Sequence, residues 1–282
     1  MLIKTYKTVF QQELSSRYDA MEIESFFFLI LEQSKNLKRI DLALQPDLEF
    51  SEAEILQWNS VLEQLKQELP IQYILGKTNF YGLEFLVNPN VLIPRPETEE
   101  LVDWIISTKS INQPPIKIID IGTGSGCIAI SLAKNISEAQ VFALDISEKA
   151  LATAKENAKK NQVAVAFIQK NILTTTDLEM QFDIIVSNPP YVRNLEKTEI
   201  KNNVLANEPH LALFVEDNDA LLFYKKIAEL ATKNLSPQGK LFFEINQYLG
   251  KETVELLSDL GFQNIALRQD IYGNDRMIVC NL

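Results

Sequence analysis

No uninterrupted apolar stretch reaches about 18 residues, the length that a membrane-spanning helix needs. The first residues, MLIKTYKTVFQQELSSRY, are broken by charges before the apolar core of a signal peptide could form. Neither a membrane span nor a secretory leader is expected, and the chain reads as cytoplasmic. Cysteine is scarce: Cys127 and Cys280 stand far apart with no CxxC spacing, so no metal site is expected and both read as reduced core residues. Positive charge is in deficit, with 27 Lys and Arg against 38 Asp and Glu and a formal net charge of -11. A broad affinity for nucleic acid is therefore not expected, because neutralising phosphates takes an excess of basic side chains. Only a local basic patch would serve.

What the chain does have is core-forming material, 46% of it hydrophobic, in a length that suits two domains. Residues 1–77 read as a small helical domain. Ser51-Glu52-Ala53-Glu54 has the capping-box form, and Ile55, Trp58, Leu62, Leu65 and Leu69 follow at helical spacing until Pro70. Phe26 to Leu31 looks strand-like in isolation, but Met21 and Ile23 extend it to helix length. Residues 78–95 are punctuated by Gly and Pro, and alternation around Asn88-Pro89-Asn90 predicts a short β-hairpin linker. Residues 96–282 change character. Seven apolar runs (116–121, 141–144, 164–168, 182–186, 240–245, 264–267 and 277–280) alternate with helical segments, the longest near 126–134, 148–160 and 219–234. That order predicts an α/β, Rossmann-like domain with a seven-stranded, mostly parallel sheet covered on both faces.

The first of these strands ends in Asp120-Ile121-Gly122-Thr123-Gly124-Ser125-Gly126 and enters a helix directly. Such glycines let the backbone turn tightly and approach a ligand. The third glycine comes one residue sooner than a dinucleotide fingerprint requires, and Cys127 takes the later position. The spacing favours the loop of S-adenosylmethionine methyltransferases and leaves a dinucleotide site as the alternative. Asp145 ends the second strand about 20 residues on, where an acid can accept both ribose hydroxyls. The alternative is a solvated loop Asp or a cap for the helix that follows. Asn171 and Ile172 follow the third strand, placed to receive an adenine amino group and to cover its ring. Asn171 departs from the acidic residue usual there, since its amide donates as well as accepts.

The fourth strand ends in Ser187-Asn188-Pro189-Pro190-Tyr191. Two prolines remove two backbone donors and fix two φ angles, so the local carbonyls are held rigid without helix partners. The Asn188 side-chain oxygen and the Pro189 carbonyl can accept both N–H groups of a planar NH2, and Tyr191 can stack on its face. An amide or aniline-like nitrogen is a weak nucleophile. Two acceptors on its hydrogens enrich it and aim its lone pair, so that positioning and electrostatics carry the rate. No strong base is required, and the lone histidine, His210, reads as a loop residue. Glutamine and adenine present the same NH2. The tetrapeptide alone does not choose between a protein and an adenine-N6 nucleic-acid methyltransferase.

The sequence resembles the peptide chain release factor N5-glutamine methyltransferases of the PrmC/HemK type. The likeness runs through Pro70-Ile71-Gln72-Tyr73-Ile74-Leu75-Gly76, Phe80-Tyr81-Gly82 and Leu92-Ile93-Pro94-Arg95-Pro96-Glu97-Thr98-Glu99. It continues in the Gly122 to Gly126 loop, Asn188 to Tyr191, Glu208-Pro209-His210-Leu211-Ala212-Leu213 and Gly273-Asn274-Asp275-Arg276. The resemblance implies methylation of the glutamine in the Gly-Gly-Gln (GGQ) loop of class 1 release factors, with the helical domain gripping that partner. It implies S-adenosylmethionine as cofactor and S-adenosylhomocysteine as product. Gly122, Thr123, Gly124, Ser125, Gly126, Asp145, Asn171, Ile172 and Asn188 would bind the cofactor, and Asn188, Pro189, Pro190 and Tyr191 the substrate glutamine. Arg95, Glu97 and Thr98 would border the cofactor's methionine end or join the hairpin to the next helix.

Overall fold

A computed structural model describes residues 1–108 and 115–282. They fall into two units, Met1–Gly76 with Asn202–Asn207, and Lys77–Lys201 with Glu208–Leu282.

The first unit holds α1 (Ile3–Leu14), α2 (Ala20–Lys35), α3 (Arg39–Leu44), α4 (Glu52–Lys66) and α5 (Ile71–Leu75). α1 buries Ile3, Tyr6, Phe10 and Leu14, one stripe at helical spacing. The strand-like run from Phe26 lies inside α2 because Asp19 starts a helix upstream, its carboxylate accepting from the Met21 and Glu22 amides at 2.9 Å. α4 opens on the capping box anticipated at Ser51: the Ser51 amide donates to Glu54 Oε2 at 2.7 Å and the Glu54 amide to Ser51 Oγ at 3.3 Å. Trp58 centres the core, its ring 4.9 Å from both Phe27 and Phe50 and 5.7 Å from Tyr6.

The second unit begins with β1 (Lys77–Phe80) and β2 (Leu83–Leu86), then α6 (Pro96–Ser107), β3 (Lys117–Ile121), α7 (Cys127–Asn135), β4 (Gln140–Asp145), α8 (Glu148–Lys160), β5 (Val165–Gln169) and β6 (Phe182–Ser187). The hairpin turns at Tyr81-Gly82, not at Asn88-Pro89-Asn90. Both turn residues have positive φ, 48° and 73°, the geometry that matches strand twist in a two-residue loop. Asn88 instead accepts the Asn90 amide at 2.9 Å, a local turn beyond the hairpin. The segment expected as a linker packs into this unit, with Phe80 and Phe85 buried in its core.

After β7 (Val192–Arg193) comes α9 (Asn202–Asn207), which belongs with the first unit, where Asn207 Nδ2 donates to the Glu68 carbonyl at 3.3 Å. The second unit resumes with β8 (Phe214–Val215), α10 (Leu222–Asn234), β9 (Leu235–Glu244), α11 (Gly250–Asp259), β10 (Gln263–Gln269) and β11 (Asp275–Asn281). All seven strands anticipated from the sequence form one sheet in the order β10-β11-β9-β6-β3-β4-β5, with β11 alone reversed. β9 starts earlier than the apolar run suggested, because Leu235 already pairs with Phe182 across an irregularity. Alternate residues feed opposite cores: Ile119, Ile185 and Phe243 pack with α10 and α11, and Ile118, Ile184 and Phe242 with α6 and α7. Burial on both faces is why these strands read as continuous apolar runs. The chain reverses direction across the sheet between β3 and β6, which opens a crevice beyond their carboxyl ends, where ligands bind in such sheets. Ser187 Oγ donates to the Ile121 carbonyl at 2.6 Å and clamps the two strand ends together.

Candidate active site

A cavity of about 350 Å³ occupies that crevice, within the size range of small-molecule sites. Of the residues anticipated from the sequence, Gly122, Gly124, Asp145, Asn171, Ile172, Asn188, Pro189 and Pro190 line it. Gly122 and Gly124 turn with φ of 77° and 54°, a region open to glycine without strain. Thr123, Ser125 and Gly126 do not line the cavity; they brace the loop from behind. Thr123 Oγ1 donates to Asp120 Oδ2 at 2.6 Å, and the Ser125 carbonyl accepts Asn157 Nδ2 at 2.9 Å. At Gly126 a Cβ would meet Ile130 Cδ1 at 2.9 Å and the Ala154 Cβ at 3.1 Å, so this glycine permits helix packing.

Asp145 holds the loop as well as facing the cavity. Its Oδ2 accepts the Gly124 amide at 2.8 Å and its Oδ1 the Ser147 amide at 2.9 Å. Burial pushes its pKa up against these donors. The Ile146 amide is a third donor to the carboxylate, which keeps lone-pair capacity for a ligand hydroxyl. Ser147 caps α8 itself through the Ala150 amide, at 3.2 Å. Asn171 uses its side-chain oxygen to accept the Leu173 amide at 3.0 Å, so one lone pair of that oxygen remains. Val91, Ile146, Lys170 and Phe223 also line the cavity and were not singled out from the sequence, whereas Leu92, Leu211 and Ala212, which line it too, lie in segments that carry the family resemblance.

A smaller cavity, about 60 Å³, is lined by Leu92, Arg95, Asn188, Pro189, Tyr191, Val192, Ala212, Leu213 and Glu244. Asn188 and Pro189 line both spaces, so one tetrapeptide borders the larger cavity and the smaller. Asn188 Nδ2 donates to Thr98 Oγ1 at 3.3 Å, and the Tyr191 hydroxyl donates to Glu244 Oε1 at 3.0 Å. Burial first, then the Glu244 charge, drives the Tyr191 pKa far up, which keeps the phenol a donor. Arg95 pairs with the buried Glu208 at 2.6 Å, and Glu208 Oε2 accepts the Ile93 amide at 3.1 Å. That pair ties the Leu92 to Glu99 segment to the Glu208 to Leu213 segment. His210 stacks edge-on against Phe214 at 5.2 Å and lines neither cavity. Cys127 and Cys280 are free and buried, and burial pushes both thiols up to about 12.

The arrangement suits an adenosine-bearing ligand in the larger cavity and a planar NH2 group delivered to Asn188. Comparison with known proteins bears on the family. Residues 108–213 match the family model of the methyltransferase small domain, and residues 10–76 that of the PrmC N-terminal domain. The release factor glutamine methyltransferase of Flavobacterium psychrophilum is 66% identical over 283 residues, covering 100% of this chain and 99% of the relative. Its counterpart from Bacteroides thetaiotaomicron is 42% identical over 272 residues, 96% of this chain and 97% of the relative. Among solved structures, the ribosomal protein L11 methylase of Lactobacillus delbrueckii subsp. bulgaricus superposes with a TM-score of 0.51 at 20% identity, over 73% of this chain and 97% of that one, a likeness of fold.

Proposed function

The chain belongs to the PrmC/HemK family of release factor glutamine methyltransferases, and we propose that Asn188 and Pro189 hold the side-chain amide of the substrate glutamine where the two cavities meet. It is an enzyme that methylates the glutamine N5 of release factors, and the GGQ loop of class 1 factors is the segment this site would receive. The observation that carries the residue assignment is that Asn188 and Pro189 line both the larger and the smaller cavity.

The larger cavity fits S-adenosylmethionine in its chemistry. An acid with spare lone pairs stands at the end of β4, glycines leave the Gly122 and Gly124 backbone open, and Ile146 and Ile172 offer apolar cover for a ring. Bound there, S-adenosylmethionine supplies an electrophilic methyl group and leaves as S-adenosylhomocysteine. Gly122, Gly124, Asp145, Asn171 and Ile172 are proposed to bind it. On the substrate side, the Asn188 oxygen and the Pro189 carbonyl accept the two N–H bonds of the amide, and the Tyr191 ring covers its face. These acceptors aim the nitrogen lone pair and enrich it, which is where a delocalised amide needs help. Once methylated, the nitrogen is acidic, and its proton leaves to water without a dedicated base. The helical unit is proposed to grip the release factor, and it exposes Met21, Ile40, Leu44 and Leu56 for such contact.

The test is incubation with a purified class 1 release factor and S-adenosylmethionine, followed by mass spectrometry of the GGQ peptide. One added methyl group on the glutamine is expected, with none on DNA or RNA. Methyl transfer to duplex DNA with the release factor inert would sink the reading. Asn188→Ala is expected to lose most turnover while still binding S-adenosylhomocysteine.

A further inference from the structure

We propose that Thr98 and Glu244 are positioning residues that fix which end of the Asn188 side-chain amide faces the substrate. The inference rests on the reading of Asn188 as the acceptor of the glutamine N–H. An asparagine amide has nearly the same shape after a half-turn about its last torsion, yet only one orientation presents an oxygen. The other would set an NH2 against an NH2. Packing cannot discriminate between them, so hydrogen bonding must.

The discriminating atom is Thr98 Oγ1. It lies 2.6 Å from Glu244 Oε2 and 3.3 Å from Asn188 Nδ2. A hydroxyl has one proton, and the carboxylate claims it in a short, charge-assisted bond. Thr98 is left with lone pairs alone to show Asn188, which must answer with its NH2. The Asn188 oxygen is thereby turned away from Thr98 and kept for the substrate. The second oxygen of the same carboxylate accepts the Tyr191 hydroxyl at 3.0 Å, so Glu244 anchors both ends of the Asn188 to Tyr191 segment. Thr98 and Glu244 are each 2% exposed, so water does not compete for these bonds.

The backbone holds each partner in place. Thr98 sits in the first turn of α6, whose start is set by Pro96 and by the Thr98 amide donating to the Arg95 carbonyl at 3.1 Å. Glu244 is the last residue of β9, paired with Met277 of β11. The two residues are 146 positions apart in sequence.

The experiment compares the full-length wild type with Thr98→Val, Thr98→Ser, Asn188→Ala and the Thr98→Val/Asn188→Ala double variant. Single-turnover methylation of a release factor is measured alongside calorimetric affinity for S-adenosylhomocysteine. Thr98→Val keeps the shape and removes the hydroxyl; it is expected to slow the methylation step about 10- to 100-fold. Cofactor affinity should stay within about twofold, and Thr98→Ser should restore the rate to within about threefold. Because Thr98 acts through Asn188, Thr98→Val should cost nothing further in the Asn188→Ala background. Additive losses in the double variant, or cofactor affinity falling in step with the rate, would overturn the inference. So would wild-type rates in Thr98→Val with Asn188→Ala inactive, which leaves the reading of Asn188 standing. Near-normal rates in Asn188→Ala would remove that reading and the inference with it.

Discussion

Asp120 is next to last in β3, just before the glycine loop, and is 1% exposed. Its Oδ2 accepts the Thr123 hydroxyl at 2.6 Å and the Ala129 amide at 3.3 Å, whereas Oδ1 meets no partner among the described residues. One strong donor does not offset the loss of water, and burial raises its pKa from 3.8 to about 7. The sign follows directly. The folded state holds the proton more tightly than the unfolded chain, so the stabilisation is fully present below pH 3.8 and is lost as pH rises through about 7. A shift of that size amounts to roughly 4 kcal/mol lost by pH 8, more than half of it between pH 5 and pH 8. Asp120→Asn keeps an acceptor for Thr123 and carries no charge, so it does not lose this contribution. Asp145, also raised by burial, titrates in both proteins, and its charge adds to the rise at Asp120. Urea unfolding at pH 5 and pH 8 would measure it, in a Trp58→Phe background so that Trp104 reports the second unit alone. The gap between Asp120→Asn and its parent should widen by roughly 2 to 3 kcal/mol toward alkaline pH, roughly a 1 M shift in midpoint. Parallel pH profiles would refute the reasoning, since they would mean that Asp120 is already ionised in the fold at pH 5.

Two further substitutions probe the braces behind the site. Gly126→Ala places a Cβ at a φ of 83° and 3.1 Å from the Ala154 Cβ; it should destabilise the second unit by about 1 to 3 kcal/mol in thermal or urea unfolding. Asn157 is fully buried and joins the hairpin to the loop, accepting the Leu86 amide at 2.6 Å and donating to the Leu86 and Ser125 carbonyls at 3.0 and 2.9 Å. Asn157→Ala strands three backbone groups and should cost about 2 to 4 kcal/mol, read as faster hydrogen exchange across β2 and the Gly122 to Gly126 loop.

Periodicity made the helices and strands legible because burial on one stripe or on both faces leaves a local mark. Ser51 and Glu54 announced α4, and the apolar runs announced all seven strands. The hairpin turn was misplaced because Asn-Pro-Asn is the stronger local signal, whereas Tyr81 takes a positive φ that an aromatic residue rarely adopts. Within the site, the residues on the loop and on the tetrapeptide could be read from spacing. Their supports could not. Glu208 binds the Ile93 amide from 115 positions away, and Asn157 binds Leu86 from 71. No window of sequence contains such pairs. Glu244 carried one signal that could have found it, an acid closing the apolar run Leu241-Phe242-Phe243. An ionisable residue at the carboxyl end of a buried parallel strand faces the crevice where ligands bind.

That position recurs three times, and the donors that meet each carboxylate decide what it does. Asp120, Asp145 and Glu244 end or nearly end β3, β4 and β9, and burial raises the pKa of all three. Asp120 meets a single strong donor and lies behind the loop, so below about pH 7 it holds its proton and serves the fold. Asp145 meets the backbone amides of Gly124 and Ser147 and still borders the cavity, so its remaining lone pairs are available to ligand hydroxyls. Glu244 meets two hydroxyls, from Thr98 and Tyr191, with the Arg276 charge favouring its ionised form and Glu97 opposing it. It spends both oxygens on orienting other residues. An acid at a strand end is thus a place in the fold before it is a role, and the roles separate only when the donors around each oxygen are counted.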